Sequence, residues 1–323
     1  MFAWPLPGAG YRTWLTVAAP MTQRLSPGTA AMLAAAPLLW AGNAVVGRAL
    51  HTLIAPSTLN FLRWLLAFAL LLPLAWQVLR PASGLWPHWR RYAALGLFGI
   101  GSYNALQYLA LQTSTPINVT LIASSMPIWM LIVGALFFGE RVRSAQAVGG
   151  LLSMIGVLVV LLRGELGAVA SLRLVPGDLW MLLATLGWAF YSWLLARPTP
   201  SLAGEQRPSW NWAEFLLVQT LFGVFFASLA AGTEHALGAS WPQFNATVWL
   251  GLAFIAIGPA VLAYRAWGLG VLAAGPNVAG FFNNLTPLFA ALLSALWLGQ
   301  PPQAHHGVAF ALIVAGIVAS SRR

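Results

Sequence analysis

The chain contains no cysteine and no lysine, and only six of its 323 residues are acidic. Without cysteine there are no disulfides, haem thiolates or zinc–thiolate sites. Without lysine, the net charge of +10 rests on arginine alone. Charged residues of every kind make up 7%, where soluble domains carry about 25%. Such a chain cannot cover its own surface in water. Long polar stretches are missing too, so no second, soluble domain is expected. There is no Ser-His-Asp set, no glycine-rich nucleotide loop and no metal-spaced group of carboxylates. The reading is therefore not an enzyme, with no cofactor and no metal. Adjacent His305 and His306 are expected to point to different helix faces, which argues against a metal there.

What is present is hydrocarbon, 59% of the residues. Spanning a bilayer takes roughly 20 mainly apolar residues per helix. Such windows recur near 29–50, 57–79, 92–112, 116–138, 145–162, 177–197, 211–232, 245–268, 276–298 and 304–320. That predicts ten transmembrane helices. A β-barrel is excluded because its strands alternate apolar and polar, and these runs are apolar all round. Residues 1–28 hold arginines and prolines but no long apolar core before a small-residue cleavage site, so no cleaved signal peptide is expected.

In a soluble protein the positive charge would point to nucleic acid. Here the arginines flank membrane helices, where they set orientation and touch lipid headgroups. With the N-terminus inside, twelve arginines fall on the cytoplasmic side and four outside, counting Arg265 near an inner helix end. The expected placement is a multi-pass protein of the bacterial inner membrane with both termini cytoplasmic. Its partners are the lipid bilayer and a small-molecule substrate. No nucleic-acid partner is expected, and the chain is expected to be a monomer.

The chain repeats itself. "TLIASSMPIWMLIVGALFFG" (120–139) parallels "GFFNNLTPLFAALLSALWLG" (280–299). Pro116, Pro127, Leu136, Gly139 and Gly156 each have the same residue type 160 positions on. Leu95-Gly96-Leu97 is echoed 155 positions on, and Trp40-Ala41 faintly at Trp188-Ala189. Two halves of five helices each require the second to enter the membrane inverted. "FGERVRS" after the fourth helix carries arginines and a glutamate, and its counterpart "LGQPPQAHH" carries neither. The predicted organisation is a cytoplasmic segment 1–28, a first five-helix repeat 29–162, a connection 163–176, and a second, inverted repeat 177–321. The fold class is all-α, integral to the membrane, with the repeats around a central cavity. Inverted repeats characterise secondary transporters.

"FGERVRSAQAVGGLLSMIGVLVVLL" and its second copy "LGQPPQAHHGVAFALIVAGIVASS" resemble the drug/metabolite transporter superfamily, in its ten-helix EamA-type branch. The resemblance spans about 28–321 and departs from the pattern at Gln300, where glutamate is common. It implies an inner-membrane exporter of small metabolites. The aromatic-rich helices are most similar to that superfamily's aromatic amino acid exporters.

An amide in hydrocarbon without a partner is costly. Asn277 and Asn284, seven residues apart, share a helix face, as do Asn118 and Ser125 in the other half, with Trp129 one turn on. Beside Asn283, these are candidate substrate contacts, against the alternative that they bond helix to helix. Trp188 and Tyr191, Trp40 and Asn43, Tyr103 and Gln107, and Tyr264 complete the candidate set. Pro127 and Pro287 are candidate hinges, with Gly99, Gly101, Gly258 and Pro259 as further weak points. Arg63 is expected to snorkel to the outer surface. Asp178 is placed as a helix N-cap and Glu214 near a helix start. No carboxylate lies deep enough to carry a coupling proton. The expected function is export of neutral, chiefly aromatic, amino acids by alternating access without proton coupling. A proton-coupled drug or metabolite exporter is the alternative, and a channel or a lipid-modifying enzyme the alternatives of other classes.

Overall fold

A computed structural model describes residues 25–50, 52–111, 113–114, 116–162, 165, 175–197, 208–298 and 304–321. All regular structure among them is helical. The first half comprises α1 (Pro27–Leu50), α2 (Pro56–Ala75), α3 (Trp89–Gly96), α4 (Tyr103–Leu111), α5 (Pro116–Ser124), α6 (Met126–Phe138) and α7 (Ser144–Leu161). The second comprises α8 (Pro176–Ala196), α9 (Trp212–Ala236), α10 (Ala246–Ile255), α11 (Ala263–Ala274), α12 (Pro276–Phe282), α13 (Leu285–Leu298) and α14 (Ala304–Ser321). Six helical runs are long and apolar enough to cross a membrane unaided. These are α1, α2, α8, α9, α10 continued by α11, and α14. The α3–α4, α5–α6 and α12–α13 pairs and α7 supply the other four crossings.

The interruptions fall at equivalent places. Between α3 and α4 the helix widens into a π turn, Leu97–Gly101. Between α10 and α11 it does the same over Ala256–Leu262. Such turns commonly mark functional sites. Between α5 and α6 the chain turns at Ser125, and between α12 and α13 at Asn283–Asn284. Three-residue bonds carry the chain through both breaks: Ser125 N–H to the Ile122 carbonyl (3.0 Å) and Asn284 N–H to the Phe281 carbonyl (3.2 Å). The prolines start the second half-helices. Pro127 lies in the first turn of α6, where its missing N–H leaves no bond unmade.

Contacts between the halves obey the same exchange. α7 packs on α14 and α2 on α9, each span against its own counterpart. α1 packs on α11 and α13 of the second half, while α8 packs on α4 and α6 of the first. The α7–α14 crossing shows how. A Cβ on Gly149 would lie 2.6 Å from the Gly316 carbonyl oxygen, and one on Gly156 would lie 3.0 Å from that of Ala309. Gly149 and Ala309 are repeat equivalents, as are Gly156 and Gly316. One close approach is thus the image of the other. Small residues at such crossings let backbones meet, the main source of helix association in lipid.

Charged groups sit at helix ends. The Glu234 carboxylate of α9 caps α2, accepting from the Ser57 and Thr58 N–H groups at 2.8 and 2.9 Å. At the opposite end Arg91 donates to the Leu194 and Arg197 carbonyls at the end of α8, at 2.5 and 3.3 Å. Arg197 also pairs with Glu140 at 2.7 Å. Both arrangements complement the helix dipole. Asp178 is the third helical residue of α8 rather than its N-cap. Its carboxylate accepts from the Val175 N–H at 2.8 Å and from the Ser114 hydroxyl. Pro176 occupies the first position and moves the acidic residue one turn in. The His305 and His306 rings do not diverge as expected. Their centroids lie 4.1 Å apart in the first turn of α14. Among the described residues no three His, Cys, Asp or Glu side chains gather to hold a metal.

Gly149→Ala should therefore destabilise the protein by on the order of 1–3 kcal/mol, since its Cβ meets backbone. Gly150→Ala, whose Cβ would meet only the Phe281 ring at 3.9 Å, should be neutral or slightly stabilising. Thermal unfolding of the two variants in detergent checks the contrast. Equal melting temperatures would refute this account of the crossing.

Candidate functional site

Seven rings meet where the halves join: Trp40 of α1, Trp64 of α2, Tyr103 of α4, Trp188 and Tyr191 of α8, Tyr264 and Trp267 of α11. Trp40 and Trp188, the faint echo in the sequence, are in direct contact. Their centroids lie 5.3 Å apart with planes at 89°. Trp188 also meets Tyr103 at 5.4 Å, Tyr191 at 5.0 Å, Tyr264 at 5.5 Å and Trp267 at 5.7 Å. Trp64 abuts Tyr264 edge-on at 4.8 Å. Edge-to-face pairs match the positive ring edge to the negative face, and each contributes about 0.5–1.5 kcal/mol beyond burial.

The π turns hold the rings in place. Tyr264 donates its hydroxyl to the Gly99 carbonyl, and Trp40 donates Nε1–H to the Pro259 carbonyl at 3.2 Å. Gly99 lies in the widened turn of the first half and Pro259 in that of the second. Each widened turn thus offers one carbonyl to an aromatic donor from elsewhere. Glycine is required at 99 because a Cβ there would sit 2.5 Å from the Tyr191 ring. Tyr191 in turn donates to Gln219 Oε1 at 2.9 Å, and Trp267 Nε1–H to the Ser192 hydroxyl at 3.3 Å.

Other polar atoms in this region make no hydrogen bond to the protein. The Nε1–H groups of Trp64 and Trp188 and both side-chain polar atoms of Asn60 are buried without one. Asn60 and Trp64 stand one turn apart on α2 and share a face. Between them comes Arg63, which is only 5% exposed. Snorkelling does not describe it. Its guanidinium donates to Asn43 Oδ1 at 3.3 Å and lies 5.3 Å from the Trp64 ring centroid. The reason is geometric: Arg63 lies seven residues into α2, about 10 Å along its axis. It stands beside the buried stripe of Asn60, Trp64, Ala67 and Leu71, and turns inward to Asn43.

The expected candidates divide. Trp40, Tyr103, Trp188, Tyr191 and Tyr264 come together, and Asn43 adjoins them through Arg63. Gln107, half-buried, is one turn beyond Tyr103 on α4. The bonds of the others run elsewhere. Ser125 accepts from Trp129 Nε1–H at 3.0 Å within its own crossing. Asn284 is 1% exposed and donates to Ser153 Oγ of α7 at 2.8 Å, the helix-to-helix bond that was its alternative. Asn283 is half-buried beside it. Asn277 is buried, with Oδ1 making no bond in the protein. The side chain of Asn118 lies outside the described residues. Glu214 closes a capping box with Asn211 at the start of α9, which leaves it no place among the rings. Asn60, Arg63 and Trp64 were missed. Their i, i+3, i+4 spacing is the pattern that marks Trp188, Tyr191 and Ser192, and could have revealed them.

The description of the EamA-like transporter family matches twice, over residues 28–162 and 175–322. An aromatic amino acid exporter, YddG, of Ancylobacter novellus is 26% identical over 72% of this chain and 74% of its own. A probable terminal-alkyne amino-acid exporter of Streptantibioticus cattleyicolor is 25% identical over 72% of each chain. One solved crystal structure superposes with a TM-score of 0.68 at 23% identity, covering 90% of this chain and 96% of the other. At that identity the likeness concerns the fold.

Asn284→Ala should lower stability by about 0.6–2 kcal/mol, the range of hydrogen bonds between membrane helices. Ser153→Ala should do likewise, and the double variant should cost less than the two singles together. Additive losses would show that the bond does not contribute.

Proposed function

Because this chain belongs to the EamA-like transporter family, we propose that it is a secondary transporter exporting small neutral amphipathic metabolites, aromatic and other neutral amino acids foremost. The observation that carries this reading is the ring cluster where the halves join, hung on two widened turns, one in each half. Rings give sequence-independent apolar and stacking contacts to a cargo side chain. Buried donors and acceptors with no protein partner, at Trp64, Trp188, Asn60 and Asn277, suit the cargo's polar groups. Amino acid export is also what two similar proteins are named for.

Alternating access fits helices that are already interrupted. The turns at Ser125 and at Asn283–Asn284, each followed by a proline, divide two crossings into halves that can reorient. The π turns divide two more. Pro127 and Pro287 serve as the points where the second half-helices begin to swing. Each chain carries both halves, so a monomer suffices. The bacterial inner membrane with both termini cytoplasmic is the placement that the arginine asymmetry supports.

Uncoupled transport is supported by the fate of four of the six acidic residues. Glu140, Asp178, Glu214 and Glu234 are all engaged at helix ends, and none stands among the rings.

In liposomes containing this protein alone, flux of L-tryptophan or L-phenylalanine should saturate and follow the substrate gradient. Collapsing an imposed pH gradient should leave it unchanged. Trp188→Phe should lower it several-fold while the protein stays folded. A requirement for the proton gradient would overturn the uncoupled reading and direct attention to Glu234. Linear, unsaturable flux would indicate a channel. Tags at both termini should be reached only from the cytoplasmic side, and an external C-terminal tag would reverse the assigned topology.

A further inference from the structure

A buried cation, Arg63, stands beside the rings. With Asn60 it brings strong hydrogen-bonding capacity into this apolar region. A guanidinium carries five N–H donors in a planar fork that matches a carboxylate. Asn43 fixes one edge of it at 3.3 Å, and the Trp64 ring lies 5.3 Å from it. Asn60, one turn before Trp64, is 1% exposed, and neither its amide oxygen nor its amide nitrogen bonds to the protein. An amide left so in an apolar interior is costly. The arrangement is therefore a positive group, an unpartnered amide and an indole N–H on one face of α2. All three adjoin a ring, Trp64, that touches Tyr264 at 4.8 Å and through it the whole cluster.

We propose that Arg63, oriented by Asn43 and assisted by Asn60, is the carboxylate anchor of the cargo site. The protein then takes amphipathic carboxylates, amino acids among them, and rejects the same molecules once the carboxylate is amidated or removed. A zwitterion is neutral as a whole, yet it presents one full negative charge to this fork. The α-amino group is the less critical end: the rings offer it only their faces. This assignment rests on the proposed reading of the ring cluster as the cargo site and specifies which compounds enter it. Asn43 is a positioning residue, since it acts through the guanidinium.

The test uses the full-length protein in nanodiscs, with four probes: L-phenylalanine, L-phenylalaninamide, 3-phenylpropionate and phenethylamine. Binding is read by quenching of intrinsic tryptophan fluorescence and by competition in liposome flux. The two carboxylates should bind at least about tenfold more tightly than the amide and the amine, the scale of a charge-assisted bidentate pair. Arg63→Gln should bring the phenylalanine-to-phenylalaninamide ratio near one, and Arg63→Lys should retain part of it. Asn43→Ala should shrink the ratio without abolishing it. A purely structural arginine would change the melting temperature and leave the ratio alone, and that result would overturn the proposal. So would equal binding of all four probes by the unmodified protein, a result that needs no variant to fold and leaves the aromatic cargo reading intact. Binding of none of the four would overturn both.

Discussion

In hydrocarbon a backbone carbonyl or N–H without a partner costs several kcal/mol, and this single constraint organises the molecule. It forces every crossing to be helical. It also means that a helix can be interrupted only where some other group takes up the freed backbone atoms. The protein interrupts four crossings and answers each time. At the π turns the answer comes from an aromatic donor, Tyr264 for Gly99 and Trp40 for Pro259. At the sharper breaks it comes from three-residue turns closed by the chain itself. The rings are thus recruited by the irregular backbone before any cargo is considered. Their gathering at the junction of the halves follows from where the helices had to widen.

Charge obeys the same economy of place. With few ionisable residues, the chain uses them where helix ends expose partial charge. Glu234 caps α2 from a neighbouring span, and Arg91 donates to the last carbonyls of α8. Each ties two crossings together at one end of the molecule. Among the described residues Arg63 departs from this pattern: it is buried beside the rings, where it donates to Asn43.

Much of the fold could be read from the sequence because its signals are long. Ten apolar windows are hard to mistake, and the 160-residue repeat fixes the inversion through the odd number of helices per half. The glycine and proline positions at 99, 101, 258 and 259 coincide with the π turns, since both residues weaken a regular helix. Side-chain direction was harder. Asn284 and Asn277 are seven apart and would share a face on a continuous helix, but the chain turns at Asn283–Asn284 and the argument does not carry across the break. Arg63 was misjudged because depth was counted along the sequence. The outcome depended on Asn43, on another helix, being within reach. Long-range partners such as Ser153 for Asn284, or Ser114 for Asp178, leave no local trace.

The two widened turns, one in each half, differ in chemistry. At 259 proline can supply no N–H to any helix, so the irregularity there is written into the covalent chain. At 99 glycine imposes nothing covalent, and the turn there is held by its contacts with Tyr264 and Tyr191. The molecule therefore resembles a balance with one stiff arm and one compliant arm. A perfectly symmetric duplicate would hold its two mirror-related forms at equal energy and favour neither side of the membrane. Unequal stiffness removes that degeneracy. In the proposed alternating-access cycle, that inequality would favour one facing over the other.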